Sequence, residues 1–335
     1  MDDSSTVSDS NTVSDSNSSA THTTGSVKQD FTIVGSGFLM GAADIVPGVS
    51  GGTVALILGV YQRLVTAISR CDTTFIGLVL SKQWKAAANH IDLRFVIALG
   101  GGIACGILTL ASLMNRLLTD HMSATFAAFS GMILASSLLV GRRIEKWKPA
   151  HVATLLLGTA IALWLVSLPA LKSPPDTLWY LFVCGMIGIT AMILPGISGA
   201  FILLLLNRYH FITESIKGLP KGEISFEILL NLGVFALGCL TGLLSFSRVL
   251  RWLLTKYHDG TMAMLCGFML GSLLKLWPFQ KEVGFAEKFK HKVFQAVCPE
   301  SFDRTVMVAI GLAVGGFLIV MMLDQFGRKA NRSQL

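Results

Sequence analysis

Two short stretches rich in Pro, Gly and Ser interrupt otherwise apolar segments of this chain: DIVPGVSGGT at residues 44–53 and LPGISGA at residues 194–200. In each stretch the proline lacks a backbone N–H donor and obstructs the preceding helical turn, so a helix should end there. The glycine that follows allows a sharp turn, and the serine two residues later is a typical N-cap of a new helix. The residues that form this pattern are Pro47, Gly48, Ser50, Pro195, Gly196 and Ser198.

A helix that begins inside an apolar segment has backbone N–H groups without partners in its own helix. Such an end carries roughly half a positive charge and attracts anions, phosphate groups in particular. The alternative is that both stretches are kinks needed only for packing. A Walker-type phosphate loop is excluded, because no Gly-Lys-Ser/Thr follows the glycines. The predicted phosphate-binding donors are the residues after the serines, namely Gly51, Gly52, Thr53 and Gly199.

Ionisable and aromatic residues flank both stretches. Asp44 is a carboxylate inside an apolar segment, so it either binds a coupling ion or proton or caps nearby N–H groups. An arginine and a tyrosine follow each predicted short helix, Tyr61 with Arg63 and Arg208 with Tyr209. Arginine suits phosphate binding, but Arg and Tyr at a helix end are also ordinary membrane-interface anchors. The sequence leaves both interpretations open.

No catalytic pattern accompanies these residues. The seven histidines form no HExxH-type cluster, and the six cysteines show neither a CxxC nor another metal-ligand spacing. We therefore predict no catalytic residue, no metal and no cofactor. The pI near 9.2 would suggest a nucleic-acid partner in a soluble chain. Here the basic residues lie between apolar segments, where they reflect topology and contacts with membrane lipids, so no nucleic-acid partner is predicted.

The elements that must position these residues are membrane helices. Hydrophobic residues make up 52% of the chain and charged residues 14%, and the mean hydropathy is +0.63. Soluble domains carry about a quarter charged residues, and one bilayer crossing needs roughly 20 apolar residues. Two segments, 31–60 and 178–206, contain the Pro-Gly stretches. Continuous apolar spans are predicted at 94–118, 124–141, 151–170, 227–250, 261–277 and 304–323.

The two halves of the chain repeat one another. Pro47 aligns with Pro195, and the Gly, Ser, Gly and Tyr that follow match at the same spacing. A second block further along each half also matches, so each half contributes one broken element and three spans. If the broken element re-enters and leaves on one face, the halves have inverted topology; if it crosses, they are parallel. We favour inverted halves, because this is a recurrent plan among transporters with broken helices.

The chain is predicted to have four parts. Residues 1–30 form a Ser/Thr/Asp-rich tail with too little apolar surface to fold. A first membrane repeat at 31–170, a second at 171–323 and a C-terminal tail at 324–335 follow. The predicted fold class is an all-α, polytopic helical bundle with two homologous, inverted repeats. Loop 142–150 and the C-terminal tail are rich in basic residues and are predicted to be cytoplasmic.

The two stretches with their flanks, GAADIVPGVSGGTVALILGVY and PGISGAFILLLLNRY, resemble the signature pair of a bacterial membrane family, the PopT family of undecaprenyl phosphate translocases. The resemblance covers the chain after the N-terminal tail, and Asn207 stands where the family often has Gly. It implies a flippase that returns the lipid carrier of cell-envelope (peptidoglycan) synthesis to the cytoplasmic leaflet. It also implies inverted repeats with re-entrant elements.

We therefore predict a multi-pass, non-enzymatic transporter of undecaprenyl phosphate in the bacterial cytoplasmic membrane. Transport direction, coupling ion and oligomeric state, including a homo-oligomer, stay open. One alternative is a transporter of a small anion. Another is a lipid-phosphate phosphatase or phosphotransferase, which would need a nucleophile or a metal-binding carboxylate cluster that the sequence does not offer.

Overall fold

The computed structural model describes residues 27–45, 50–169, 171, 174–218, 225–286, 291–297, 299 and 302–332. Pro47 and Gly48 of the first stretch lie outside the described residues, as does the predicted tail as far as residue 26. The first helix begins at Val27, before the predicted start of the first repeat at 31. The last helix continues to Arg332, through most of the predicted C-terminal tail.

The first half contains a broken element, three short helices and three long ones. The helix that precedes the first Pro-Gly stretch ends at Asp44, and a new helix begins at Gly51, so the predicted break is present. The helices are α1 (Val27–Asp44), α2 (Gly51–Ile57), α3 (Tyr61–Ser69), α4 (Thr73–Leu80), α5 (Trp84–His90), α6 (Leu93–Asp120), α7 (Met122–Gly141) and α8 (Pro149–Ser167).

The second half has the same order with fewer short helices. The predicted break at the second stretch separates a helix that ends at Ile193 from one that begins at Gly199. The elements are α9 (Leu178–Ile193), α10 (Gly199–Leu205), α11 (Tyr209–Gly218), α12 (Phe226–Lys256), α13 (His258–Ser272), β1 (Gln280–Ala286), β2 (His291–Ala296) and α14 (Arg304–Arg332).

Length and composition identify a multi-pass membrane protein. Within the described ranges, five helices are long and apolar enough to cross a bilayer, namely α6, α7, α8, α12 and α14. The pair α2 and α3, bent by 117°, would add a sixth if it forms one span. Helix α13 has only 15 residues, whereas a longer span was predicted at 261–277. Large apolar side chains such as Leu108, Leu156 and Trp164 are exposed, as expected where lipid surrounds the helices.

A β-hairpin between α13 and α14 was not predicted from the sequence. Its strands β1 and β2 are antiparallel, with Gln280 opposite Ala296. The indole N–H of Trp277 donates to the carbonyl oxygen of Val297 at 2.9 Å and closes the base of the hairpin. The strands mix Val and Phe, which favour pleated strands, with charged residues typical of a loop, so the segment carries a mixed signal.

Glycines bring α1 and α6 into backbone contact. A Cβ on Gly37 would overlap the carbonyl oxygen of Leu99, and one on Gly41 would overlap that of Ile103. The contact advances by four residues along both helices, so α1 and α6 run in the same direction. Close glycine packing of this kind is common between membrane helices.

In two further pairs, the glycine contacts advance along both helices in the same way, so the two helices of each pair run in the same direction. A Cβ on Gly238 or Gly242 of α12 would overlap the carbonyl oxygen of Phe182 or Met186 of α9, respectively. Between α13 and α8, a Cβ on Gly267 would overlap the carbonyl oxygen of Leu155, and one on Gly271 would overlap that of Thr159. These pairs fix the relative direction of the helices on which the topology depends.

The core lies between α7 and α13, which contact each other and are aligned with one another in the predicted repeat. The α7 span is 56% buried within the protein, whereas the other four candidate spans are 11% to 22% buried. Helix α14 packs on α7, and α8 packs on α13. The two broken elements contact this central pair, so they lie inside the helical body rather than at its lipid-facing surface.

Candidate functional site

The two broken elements meet inside the molecule. The backbone N–H of Gly196 donates to the hydroxyl oxygen of Thr53 at 2.9 Å. The Tyr61 hydroxyl donates to the carbonyl oxygen of Ile193 at 3.1 Å, and Tyr61 is fully buried. Stretches from opposite halves of the chain are therefore joined by polar bonds in an apolar surrounding, where such bonds are costly to leave unmade.

Ser50 adds to this contact. Its hydroxyl lies 3.4 Å from the carbonyl oxygens of both Met192 and Leu194, at the end of α9. A Cβ on Gly52 would lie 2.9 Å from the carbonyl oxygen of Ile193, so only glycine fits there without a shift. We call the residues 50–53, 61 and 192–196 the central junction.

The predicted N–H donors of the first element all have partners within the protein. Gly51 donates to Oδ1 of Asp44 at 2.6 Å, and Gly52 donates to the hydroxyl oxygen of Ser50 at 3.1 Å. Thr53 donates to the carbonyl oxygen of Ser50 at 2.9 Å. The predicted N-cap role of Ser50 is confirmed. Asp44 has the geometry of a cap, and its role in binding a coupling ion stays a prediction.

The second element breaks in the same place but is built differently. Gly196 has a φ of 87°, which favours glycine, and a Cβ there would lie 2.8 Å from the carbonyl oxygen of Phe268. Ser198 precedes α10 as predicted but makes no side-chain cap hydrogen bond. A Cβ on Gly199 would lie 2.7 Å from the carbonyl oxygen of Gly188, so this glycine is required by packing. Pro195 is buried in the turn between α9 and α10.

Comparison with known proteins shows which family this chain resembles. Residues 40–293, which include both Pro-Gly stretches, match the undecaprenyl phosphate translocase-like family. The chain is 41% identical over 254 residues to the polyprenyl-phosphate transporter of Vibrio cholerae, covering 74% of this chain and 78% of that protein. It is 30% identical over 254 residues to the polyprenyl-phosphate transporter of Staphylococcus aureus, covering 72% and 84%.

The chain belongs to the undecaprenyl phosphate translocase-like family. Both relatives are named as transporters and not as enzymes. No solved structure matches the chain. Within the described ranges, no three His, Cys, Asp or Glu side chains form a group that could hold a metal ion.

Lys275 is a candidate residue of this translocase-like chain that the sequence analysis missed. It is half-buried and lines a small cavity together with Gly196, Ser198, Phe201 and other residues. Its ammonium nitrogen lies 4.9 Å from the centre of the Phe201 ring. In the part of the chain that the structure describes, no carboxylate oxygen lies within 4.0 Å of it. A lysine inside the predicted span 261–277 was the signal that could have identified it.

The two predicted arginines are paired with carboxylates. Arg63 donates from Nε to Asp92 at 2.7 Å, just before α6 begins. Arg208 is buried and donates from Nη2 to the carbonyl oxygen of Pro175 at 2.6 Å and to Asp176 at 3.0 Å, just before α9 begins. This is the geometry expected of anchors between elements, and contact with phosphate stays a prediction.

The two predicted tyrosines have different surroundings. Tyr61 belongs to the central junction, whereas Tyr209 is half-buried and packs edge-on against the ring of His210, with 5.5 Å between ring centres. The structure therefore brings one tyrosine to the junction. The other stays at the start of α11.

Two cavities lie at corresponding places in the two halves. The larger has a volume of about 990 Å³ and is lined by residues from the start of α8, the end of α12 and the start of α13, among them His151, Lys256 and His258. The smaller has a volume of about 240 Å³ and lies between the α6–α7 turn and the start of α14, where Asp120 and Thr305 line it. In the repeat alignment, α6, α7 and α14 correspond to α12, α13 and α8.

Proposed function

We propose that this protein moves undecaprenyl phosphate between the leaflets of the bacterial cytoplasmic membrane and so recycles the lipid carrier of peptidoglycan synthesis. The observation that carries the proposal is the family match across residues 40–293, which includes both Pro-Gly stretches. The two named polyprenyl-phosphate transporters among the relatives support the substrate class. A helical body with polar, broken helices in its interior is the kind of structure that such transport needs.

The helix directions support inverted halves. Helices α8 and α13 run in the same direction, and residues from their first turns line one cavity, so both begin on one face. We call it the α7–α8 face, the face on which residues 142–148 lie. Helix α6 begins on this face, because α6 and α7 cross in succession before α8 starts. Its counterpart α12 ends on this face, so corresponding helices run in opposite directions.

The same directions support re-entry of the broken elements. Helix α1 runs parallel to α6, and an ion pair between Asp30 and Arg94 joins their first turns. Helix α1 therefore begins on the α7–α8 face, and the chain must return there before α6 begins. Helix α9 runs parallel to α12 in the same way, so the second broken element starts and finishes on the opposite face.

Unequal cavities in equivalent places favour alternating access. The larger cavity opens at the α7–α8 face, and the smaller lies at the opposite face. If the two halves exchanged conformations, the first cavity would shrink and the second would grow. Residues 142–148 include Arg142, Arg143, Lys146 and Lys148, so this face is cytoplasmic by the positive-inside rule. The phosphate would cross beside the central junction and Lys275 while the polyprenyl chain stays in lipid.

A leaflet-accessibility assay tests the function. Liposomes that carry undecaprenyl phosphate, with and without the purified protein, are treated with a phosphatase that cannot cross the membrane. We expect the protein to make the inner-leaflet lipid accessible. Uptake of inorganic phosphate without any change in lipid accessibility would favour the small-anion alternative. Phosphate release by the purified protein alone would favour the phosphatase alternative.

Cysteine labelling tests the topology. In a background without the six native cysteines, single cysteines replace Lys172, Lys217 and Lys146. A membrane-impermeant maleimide applied to intact cells should label the first two and not the third, because 172 and 217 are expected on the face opposite to 146. Labelling of positions 172 and 217 on different faces would contradict the inverted topology and leave the parallel one.

A further inference from the structure

The larger cavity has the size and position of a ligand site. Its volume of about 990 Å³ lies at the upper end of the range for small-molecule sites, about 300 to 1,000 Å³. It extends inward to Leu194, whose carbonyl oxygen lies 3.4 Å from the Ser50 hydroxyl. It therefore connects the α7–α8 face to the central junction.

The lining of this cavity is divided into an apolar wall and a polar mouth. Leu250, Met264, Leu265 and Phe268 form part of the wall, deep between α12 and α13. Residues at the ends of the helices form the mouth, where the lining includes His151, Glu145, Lys256, His258 and Asp259. A ligand that fits both parts has a polar head and an apolar chain.

Lys256 is the group at the mouth that suits a negative head, and the mouth also carries the carboxylates of Glu145 and Asp259. The carboxylate of Asp259 lies 3.3 Å from Nδ1 of His258 and is occupied by that contact. The ammonium of Lys256 lies over the rings of Trp252 and Tyr257, at 5.6 Å and 5.5 Å from their centres. Among the described residues, no carboxylate oxygen lies within 4.0 Å of this ammonium. The aromatic rings position the charge without neutralising it.

We infer that this cavity is the binding site for the polyprenyl phosphate on the α7–α8 face, with the phosphate at Lys256 and the first isoprenyl units along the wall of Leu250, Met264 and Phe268. The inference rests on the proposed function and adds a site to it. It differs from the predicted phosphate site at the serine-glycine elements, where the donors Gly51 and Gly52 already have protein partners. In recycling toward the cytoplasmic leaflet, the lipid would pass the junction first and reach Lys256 when the halves rearrange.

Binding to purified protein in nanodiscs of neutral phosphatidylcholine tests the site. The probes are undecaprenyl phosphate, the corresponding alcohol and inorganic phosphate. We expect the intact lipid phosphate to bind far more tightly than either part, because one part fills the wall and the other pairs with Lys256. Equal competition by inorganic phosphate would overturn the role of the wall, and equal competition by the alcohol would overturn that of Lys256.

Two pairs of variants locate the site. Lys256→Gln should weaken binding of undecaprenyl phosphate about tenfold or more, since a hydrogen bond to a charged group is lost. Lys85→Gln removes the same charge from the exposed surface of α5 and should bind like the parent. Thr154→Trp places a large ring in the cavity and should also weaken binding, whereas Leu156→Trp, two residues along α8 on the exposed surface, should not.

The outcomes separate this inference from the proposed function. If the parent binds and translocates the lipid phosphate while Lys256→Gln and Thr154→Trp bind it as tightly, the cavity is not the site, and the proposed function stands. If the parent neither binds nor translocates it, the proposed function fails first. The thermal unfolding midpoint of each variant in detergent identifies any that fails to fold, and Lys256→Arg then serves as the second variant, with binding expected to be retained.

Discussion

The two broken elements share a backbone plan and differ in their polar groups. Each ends a long helix, turns and starts a seven-residue helix, α2 or α10. In the first, Asp44 and Ser50 accept the N–H groups of Gly51 and Gly52. In the second, the residue aligned with Asp44 is Met192, and Ser198 makes no side-chain cap bond.

A cation distinguishes the second element further. Lys275 lies beside Ser198 and Gly196, whereas the residue aligned with Lys275 in the first half is Leu139. The first element is therefore a closed polar unit, and the second has a cation beside an uncapped helix start. The break therefore follows from backbone chemistry common to both elements, while their polar side chains differ. We expect the second element to contribute more to phosphate transfer and the first to hold the junction together.

The largest expected effect tests the cation at the second element. Lys275→Met keeps an unbranched side chain of similar length and removes the charge, and it should reduce translocation of undecaprenyl phosphate by about tenfold or more. Lys275→Arg should retain most of the activity, because it keeps the positive charge. The rate at which lipid becomes accessible in the leaflet-accessibility assay measures translocation by both variants. Equal rates for Lys275→Met and the parent would remove this lysine from the transfer route.

The next effect concerns backbone geometry at the second break. Gly196→Ala should destabilise the protein by more than the roughly 1 to 2 kcal/mol of a left-handed backbone, because the new Cβ would also meet the carbonyl oxygen of Phe268 at 2.8 Å. Gly59→Ala is the matched control, since Gly59 has a φ of 76° and a Cβ there would meet Arg143 Nη2 at an ordinary contact distance of 3.8 Å. The midpoints of thermal unfolding should rank parent, Gly59→Ala and Gly196→Ala in descending order. The reverse order of the two variants would contradict the close packing at Gly196.

Asp44 tests whether the closed first element also serves as an ion site. Asp44→Asn keeps an acceptor for Gly51 and should leave the protein folded, while dependence of transport on pH or on a cation gradient should disappear. Asp44→Met copies the residue of the other half and leaves the Gly51 N–H unpaired, at a cost of about 1 to 3 kcal/mol. Transport by Asp44→Asn with unchanged gradient dependence would leave Asp44 as a cap alone.

The smallest effects compare the two serines. Ser50→Ala should cost about 1 kcal/mol, because it removes the cap of α2 and the contacts with the end of α9. Ser198→Ala should cost only a few tenths of a kcal/mol, because Ser198 makes no cap bond. Thermal unfolding in detergent should place Ser198→Ala near the parent and Ser50→Ala below it. Equal losses of stability in the two variants would mean that Ser50 and Ser198 stabilise their helix starts to the same degree.

Local chemistry made much of the fold predictable. Proline and glycine act on the backbone within one helical turn, so the breaks after Asp44 and Ile193 follow from the residues themselves. The serine cap at Ser50 and the membrane class follow in the same way, from short-range preference and composition. The hairpin after α13 was missed, because its residues carry no stronger signal for strands than for a loop.

The partners of the polar groups were decided only by the tertiary structure. The sequence does not show that Thr53 accepts the N–H of Gly196, that Arg63 and Arg208 pair with Asp92 and Asp176, or that Lys275 lies beside the second break. The first of these contacts depends on how the two halves face each other, and the other three depend on how the elements pack within one half. Hydrogen bonds and ion pairs act over a few ångströms, and residues far apart in the chain come that close only after the helices have packed.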